Sequence, residues 1–215
     1  MITFSVNQWN SEVTVQLRLG TSVATWRAWK AIGGADPAMM AGHSLGEYSA
    51  LVCSGALTLA DGVALVRDRG ALMQKAVPEG EGAMAAILGL TDEQILECCD
   101  GISGAVAPAN YNAPGQVVIA GEAAAVAQAI EACKEAGAKR ALPVAMSVPS
   151  HSSLMRDAAD ALGERLASID WKMPSMPVVH NVDATVAQST DEIAAKLKAQ
   201  FGVPESRGQI LDHAG

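Results

Sequence analysis

Gly42-His43-Ser44-Leu45-Gly46 is a G-x-S-x-G pentapeptide, and its surroundings decide what it can do. The apolar run Ala38-Met39-Met40-Ala41 before it reads as a buried strand. The stretch after it, through Tyr48, Leu51 and Val52 to Gly55, reads as a helix. A serine at a tight strand-to-helix turn exposes its hydroxyl at the helix start, the arrangement of a nucleophile elbow. Gly42 and Gly46 permit the close backbone approach such a turn demands. The N–H of Leu45 then points where an oxyanion would form, with the helix dipole behind it. The plainer alternative is a glycine-flanked turn with an ordinary N-cap serine, and the flanking strand and helix favour the nucleophile.

A serine hydroxyl is a weak nucleophile without a base, and the chain has four histidines. His43 adjoins Ser44, with its side chain expected to point away. His213 sits near the end of the sequence. His180 follows a strand and reads equally well as a satisfied end-of-strand histidine. His151, in Val148-Pro149-Ser150-His151-Ser152-Ser153, lies at a natural cleft edge. The residues alone favour His151 over His180 only narrowly.

Arg69 is the most informative charge. Projected at about 100° per residue, the helix Leu59 to Val77 gathers Leu65, Met73, Leu59, Gly70 and Val63 on one arc around Val66. Arg69 falls inside that arc, while Arg67 and Asp68 fall outside it. A guanidinium keeps its proton, so an inward one demands an anionic or multiply hydrogen-bonded partner. An internal salt bridge, snorkelling along the helix and a clamp for a substrate carboxylate all remain open on these residues.

The elements that must position these groups follow from turns and periodicity. A helix is expected from Ser22 to the stop at Gly33-Gly34, preceded by twenty residues without a clear pattern. Thr58-Leu59-Ala60-Asp61 resembles a capping box and starts the helix that carries Arg69. Pro78, Gly80 and Gly82 mark the best internal boundary. Beyond it come a strand (84–90), a helix (91–99), a strand (105–109), a turn at 112–115, a strand (116–120), a helix (123–136) and a strand (140–145). This β-α-β-β-α-β order is the ferredoxin-like signature. It predicts a small lobe over 80–147, inserted into an α/β body made of 1–79 and 148–215. The body resumes with a helix from 153 to 166 and a strand at Val178-Val179; Glu205 to Gly215 reads as an unanchored tail.

Composition narrows the function classes. The formal charge of −8 argues against a nucleic-acid or anionic-membrane surface. The apolar run Gly82 to Leu90 is nine residues, far short of the roughly 20 that cross a bilayer. The N-terminal residues are too polar for a signal peptide. Cys53, Cys98, Cys99 and Cys133 form no C-x-x-C pair and read as free thiols in a reducing cytoplasm. No metal or cofactor motif is present.

Met39 to Val52, Arg69-Gly70, Gly82 to Ala86, Tyr111 to Gly121, Val148 to His151 and Val178 to Asp183 closely resemble the bacterial malonyl-CoA:acyl carrier protein transacylases, in that family's order and spacing. The resemblance covers about residues 22 to 197. It implies an α/β-hydrolase-like body with an inserted ferredoxin-like lobe, working in the cytoplasm in fatty acid synthesis. It also implies that Ser44 takes malonyl from malonyl-CoA as an ester, which the pantetheine thiol of acyl carrier protein then removes without any cofactor. By the same resemblance His151 is general base and acid, Leu45 donates to the oxyanion, and Arg69 binds the free malonyl carboxylate. Asn112 and Gln116 match a motif bordering the cleft.

Two family segments have no match: an initial strand with a Gly-Gln-Gly oxyanion glutamine, and a later loop whose glutamine orients the histidine. The resemblance therefore implies a chain truncated at both ends with weak or absent activity. Two other functions compete. A serine esterase or thioesterase could use the same elbow, although no convincing third acid lies between Ser44 and His151. A non-catalytic remnant could bind acyl carrier protein, for which Lys134, Lys139 and Arg140 are the candidate positive patch.

Overall fold

The computed structural model describes residues 12–144, 148–202 and 205–206. Helix α1 (Glu12–Ala31) begins ten residues before the expected start. Val15, Leu19 and Val23 are buried at intervals of four, a helical stripe that the neighbouring Val13 and Leu17 obscure in the sequence. The stop is the expected one. Gly33 takes φ +80°, and the N–H groups of Gly33 and Gly34 bond to Lys30 O and Trp29 O, a Schellman ending. Trp29 is half exposed.

Strand β1 (Met40–Ala41) pairs in parallel with β6 (Val178–Val179). Among the described residues that sheet is two strands wide. Met39 and Met40 are half-buried and Ala38 and Ala41 exposed, so this run is less covered than the expected buried strand. Helix α2 (Leu45–Cys53) leaves the elbow, and α3 (Leu59–Ala76) follows. Thr58 caps α3 by accepting from the Asp61 N–H at 3.1 Å. Its own hydroxyl donates to the Asp61 carboxylate, so the short aspartate answers the side chain rather than the backbone of the cap.

A second sheet has the order β5-β2-β4-β3-β7. Its first four strands, β2 (Gly82–Leu88), β3 (Val106–Ala113), β4 (Gln116–Glu122) and β5 (Arg140–Pro143), are antiparallel. Helices α4 (Asp92–Asp100) and α5 (Ala123–Glu135) pack on one face. Period-two alternation sends Ala85, Ile87, Val117 and Ile119 into the core beneath those helices. Met84 and Val118 point the other way, toward a cavity beside Ser44. Thr91 and Gln94 form a full capping box at the start of α4.

The chain then passes through a short 3-10 turn (Ser153–Met155) into α6 (Arg156–Ala167). The segment after β6 carries α7 (Thr190–Gly202), which the sequence reading did not name. Its signal was legible: Ile193, Leu197 and Phe201 recur every four residues and are buried. They join Leu19, Leu51, Leu65, Met155 and Leu162 in the larger core. The presumed tail is anchored where described, since β7 (Glu205–Ser206) pairs in parallel with β3. His213 lies outside the described residues.

Thr58→Ala removes the cap of the helix that carries Arg69 and lowers stability by about 1 kcal/mol. A thermal melt should show a fall of about 2–4 °C; an unchanged melting temperature would mean the cap contributes nothing.

Candidate active site

Ser44 sits between β1 and α2 with φ 54° and ψ −110°, a region that L residues enter only under constraint. Gly42 makes the turn sterically possible. A Cβ there would lie 2.1 Å from the Gly46 backbone and 2.6 Å from Glu47 N. Gly46 is different: a Cβ on it would meet open space. Of the two flanking glycines, close approach therefore requires only the first.

The Ser44 hydroxyl is 3.1 Å from His151 Nε2 and accepts from Arg69 Nη2 at 3.0 Å. These three residues come from α2's N-terminal turn, the loop before α6 and the middle of α3. His151 is buried and has φ 58°. Its loop is tied by Ser150 N–H to Val148 O at 2.8 Å and by the Ser152 hydroxyl to Pro149 O at 2.6 Å. His151 Nδ1 donates to Gln200 O at 2.9 Å. That carbonyl lies in the last turn of α7, where helix carbonyls lack intrahelical partners. With the proton on Nδ1, Nε2 carries the lone pair that faces the serine.

Burial, and then the nearby Arg69 charge, pull the His151 pKa down to about 3, against the opposing pull of its bond to Gln200. A neutral imidazole is the form that can accept the serine proton. Arg69 is 5% exposed. Its guanidinium carbon stands 5.9 Å from the Tyr48 ring centre and 5.4 Å from that of Phe201. Among the described residues its Nε has no hydrogen-bond partner and no carboxylate pairs with it. The internal salt bridge allowed by the sequence is absent there, and the buried cation faces a cavity of about 250 Å³ beside the serine.

Leu45 lines this cavity, and so does His43, whose side chain was expected to point away. Leu45 is the first residue of α2, so its N–H belongs to the turn that lacks intrahelical acceptors. Asn112 and Gln116 do not line it. They sit at the hairpin end of β3 and β4, with Gln116 exposed and paired to Ala113. The sheet residues that reach the cavity are Met84, Asn110 and Val118. Asn110 pairs with Val118 across the ladder, two residues before Asn112 and on the face turned toward the serine. His180 is fully buried, with Nδ1 bonded to Glu47 Oε1 at 2.6 Å, so it is not placed as the base. The buried thiols are no rival nucleophiles: desolvation pushes Cys99 to about 11 and Cys133 to about 12, leaving little thiolate at neutral pH.

Gln200 is the site residue the sequence reading missed. The resemblance implied an orienting glutamine in a later loop that nothing in the chain matches. In the structure the acceptor for His151 is instead a main-chain carbonyl at the end of α7, a role open to any residue type.

These features define a mixed α/β protein with a serine–histidine dyad at a strand-to-helix elbow and a buried guanidinium against the nucleophile. The chain belongs to the acyl transferase domain family, which matches residues 7–204. It is 55% identical over 188 residues to the malonyl CoA-acyl carrier protein transacylase of Escherichia coli, covering 86% of this chain and 61% of that protein. The chain thus spans about three fifths of the length of the curated relatives it matches. An acyl carrier protein S-malonyltransferase from Vibrio cholerae superposes with a TM-score of 0.93 at 46% identity, over 96% of this chain and 68% of that one. A malonyl-transacylase in complex with its type II PKS acyl-carrier protein superposes with a TM-score of 0.91 at 50% identity, over 93% and 65%.

The depressed His151 pKa sets a pH expectation. Ser44 phosphonylation by a fluorophosphonate should show no acid limb near 6.5, because the imidazole stays neutral well below that pH. Arg69→Ala removes the neighbouring charge, so its limb should move up toward 6.5. A wild-type limb at 6.5 would contradict the assignment. By linkage, the same group stabilises the fold above pH 6.5. That contribution declines as pH falls from 6.5 toward 3, where the unfolded chain binds the proton and the folded one does not.

Proposed function

We propose that this chain moves a malonyl group from malonyl-CoA to the pantetheine thiol of acyl carrier protein through an ester on Ser44, as a step of fatty acid synthesis. The observation that carries the reading is Arg69: a buried cation, unpaired with any described carboxylate, 3.0 Å from the Ser44 hydroxyl. An acyl group with a free carboxylate at its far end satisfies that cation by a charge-assisted, bidentate bond. Similarity to malonyl CoA-acyl carrier protein transacylases supports the same substrates.

In the first half-reaction His151 Nε2 takes the Ser44 proton as Oγ attacks the thioester carbonyl. The oxyanion forms against the N–H of Leu45 at the start of α2. The C–S bond then breaks, and His151 returns the proton to the departing CoA thiolate. In the second, His151 takes the proton of the pantetheine thiol as sulfur attacks the serine ester. Ser44 Oγ leaves and recovers that proton. Arg69 holds the malonyl carboxylate throughout, which aligns the carbonyl for attack.

The strand order and its two covering helices support a ferredoxin-like lobe over 80–147. The parallel pair with helices α2, α3, α6 and α7 supports an α/β-hydrolase-like body over 1–79 and 148–215. A reducing, cytoplasmic setting suits four free cysteines. In the candidate carrier patch, Lys134 is drawn 2.8 Å to Glu131, which leaves Lys139 and Arg140 as its stronger members. An esterase would use the dyad but has no use for a buried cation beside it.

Incubation with malonyl-CoA should leave a malonyl adduct on Ser44, read by mass spectrometry and lost in Ser44→Ala. Arg69→Ala should lower malonyl loading by about 10²-fold or more, the usual scale for losing a buried charge-assisted contact, while sparing hydrolysis of simple neutral esters. Equal losses on both substrates would remove the carboxylate role; absence of any adduct would overturn the transfer reading.

A further inference from the structure

A buried polar cluster underlies both halves of the dyad, and the reaction as written does not use it. Glu47, fully buried in the first turn of α2, receives three N–H donors. His180 Nδ1 bonds to Oε1 at 2.6 Å. The Asn181 main-chain N–H bonds to Oε2 at 3.0 Å, and Gln200 Nε2 to the same oxygen at 2.6 Å. A carboxylate accepts at both oxygens and donates nothing, so it suits three converging donors.

Two of the three donors lead on to a reacting residue. The Asn181 side chain spans the elbow: its Oδ1 accepts the Ser44 N–H at 2.5 Å, and its Nδ2 donates to Gly42 O at 2.6 Å. Those two bonds grip the strained turn on both sides of His43. Gln200 Nε2 also reaches Asn181 Oδ1 at 3.1 Å, while the Gln200 carbonyl accepts from His151 Nδ1. The surrounding acceptors dictate how the Gln200 amide is turned, since flipping it would set oxygen against oxygen.

We infer that Glu47 is a positioning residue that holds nucleophile and base in one frame, through Asn181 to Ser44 and through Gln200 to His151. The two paths share a single carboxylate, so loosening it shifts the serine and the imidazole relative to each other. Arg69, on α3, bonds to the Ser44 hydroxyl but makes no bond to Glu47, Asn181 or Gln200, so the position of its guanidinium, and with it the binding of an anionic acyl group, does not depend on the carboxylate. The inference rests on the transfer reading for its kcat measurement, but not for its labelling measurement.

Glu47→Gln replaces one acceptor oxygen with a donor, and Gln200→Met removes the amide link while keeping the carbonyl. Malonyl transfer kinetics and Ser44 labelling by a fluorophosphonate test both variants alongside the melting profile. The expected result is a kcat lower by about 10²-fold for Glu47→Gln, the cost of a misplacement of about 1 Å. KM for malonyl-CoA should hold, and labelling should slow in parallel; Gln200→Met should show the same split to a smaller degree. Folded variants with wild-type kcat and labelling would overturn the inference, as would kcat and KM moving together. Failure of both variants to fold would overturn it too, by making the cluster a folding element. Wild-type protein that labels at Ser44 but transfers no malonyl would sink the substrate reading alone, and the variants' labelling rates would still decide this one.

Discussion

A guanidinium cannot discharge itself by losing a proton, and Arg69 has been taken out of water without a carboxylate to meet it among the described residues. The surroundings answer this only in part. The serine hydroxyl accepts one N–H, and the rings of Tyr48 and Phe201 lie within 6 Å of the charge. Arg69 also lines the cavity beside the serine. The burial of His151 itself, and then this charge, hold the neighbouring imidazole neutral. An arriving carboxylate would offset the field on His151 and raise its proton affinity as the serine is deprotonated.

Backbone strain is concentrated at the same place. Ser44 and His151 are two of the three described non-glycine residues with positive φ, each costing on the order of 1–3 kcal/mol. Such conformations persist only when their surroundings over-determine them. The Asn181 bonds on either side of the elbow and the Ser150 and Ser152 bonds in the histidine loop supply that constraint. The second sheet contributes in a different way. Its alternation gives one face to α4 and α5 and the other to the cavity, where Met84 and Val118 wall off the reacting atoms.

Much of this was legible in the amino-acid order because it depends on neighbours in the chain. The elbow, the cap of α3, the inward arc of Arg69 and the β-α-β-β-α-β succession are all local patterns. Errors arose where local signals conflicted or were missing. The start of α1 was lost because exposed Leu17 breaks its stripe, and α7 was passed over despite a clear spacing of four. Asn112 was named because its motif matched, whereas Asn110 is the asparagine that lines the cavity; the register shift between Tyr111 and Ala113 and the closeness of the hairpin turn separate the two.

Sequence alone determined which chemical groups were on offer: a strained serine, a charge that had to be satisfied, and two histidines of nearly equal merit. Only tertiary structure chose between those histidines, setting His151 against the hydroxyl and locking His180 onto Glu47. Only it revealed that His151 Nδ1 is held by a carbonyl at the end of α7. The physical reason is distance along the chain. Ser44 and His151 are 107 residues apart, and Asn181 lies 137 from the amide it holds. A main-chain carbonyl has no side-chain signature, and contacts across such separations arise only when the packed core brings the elements together.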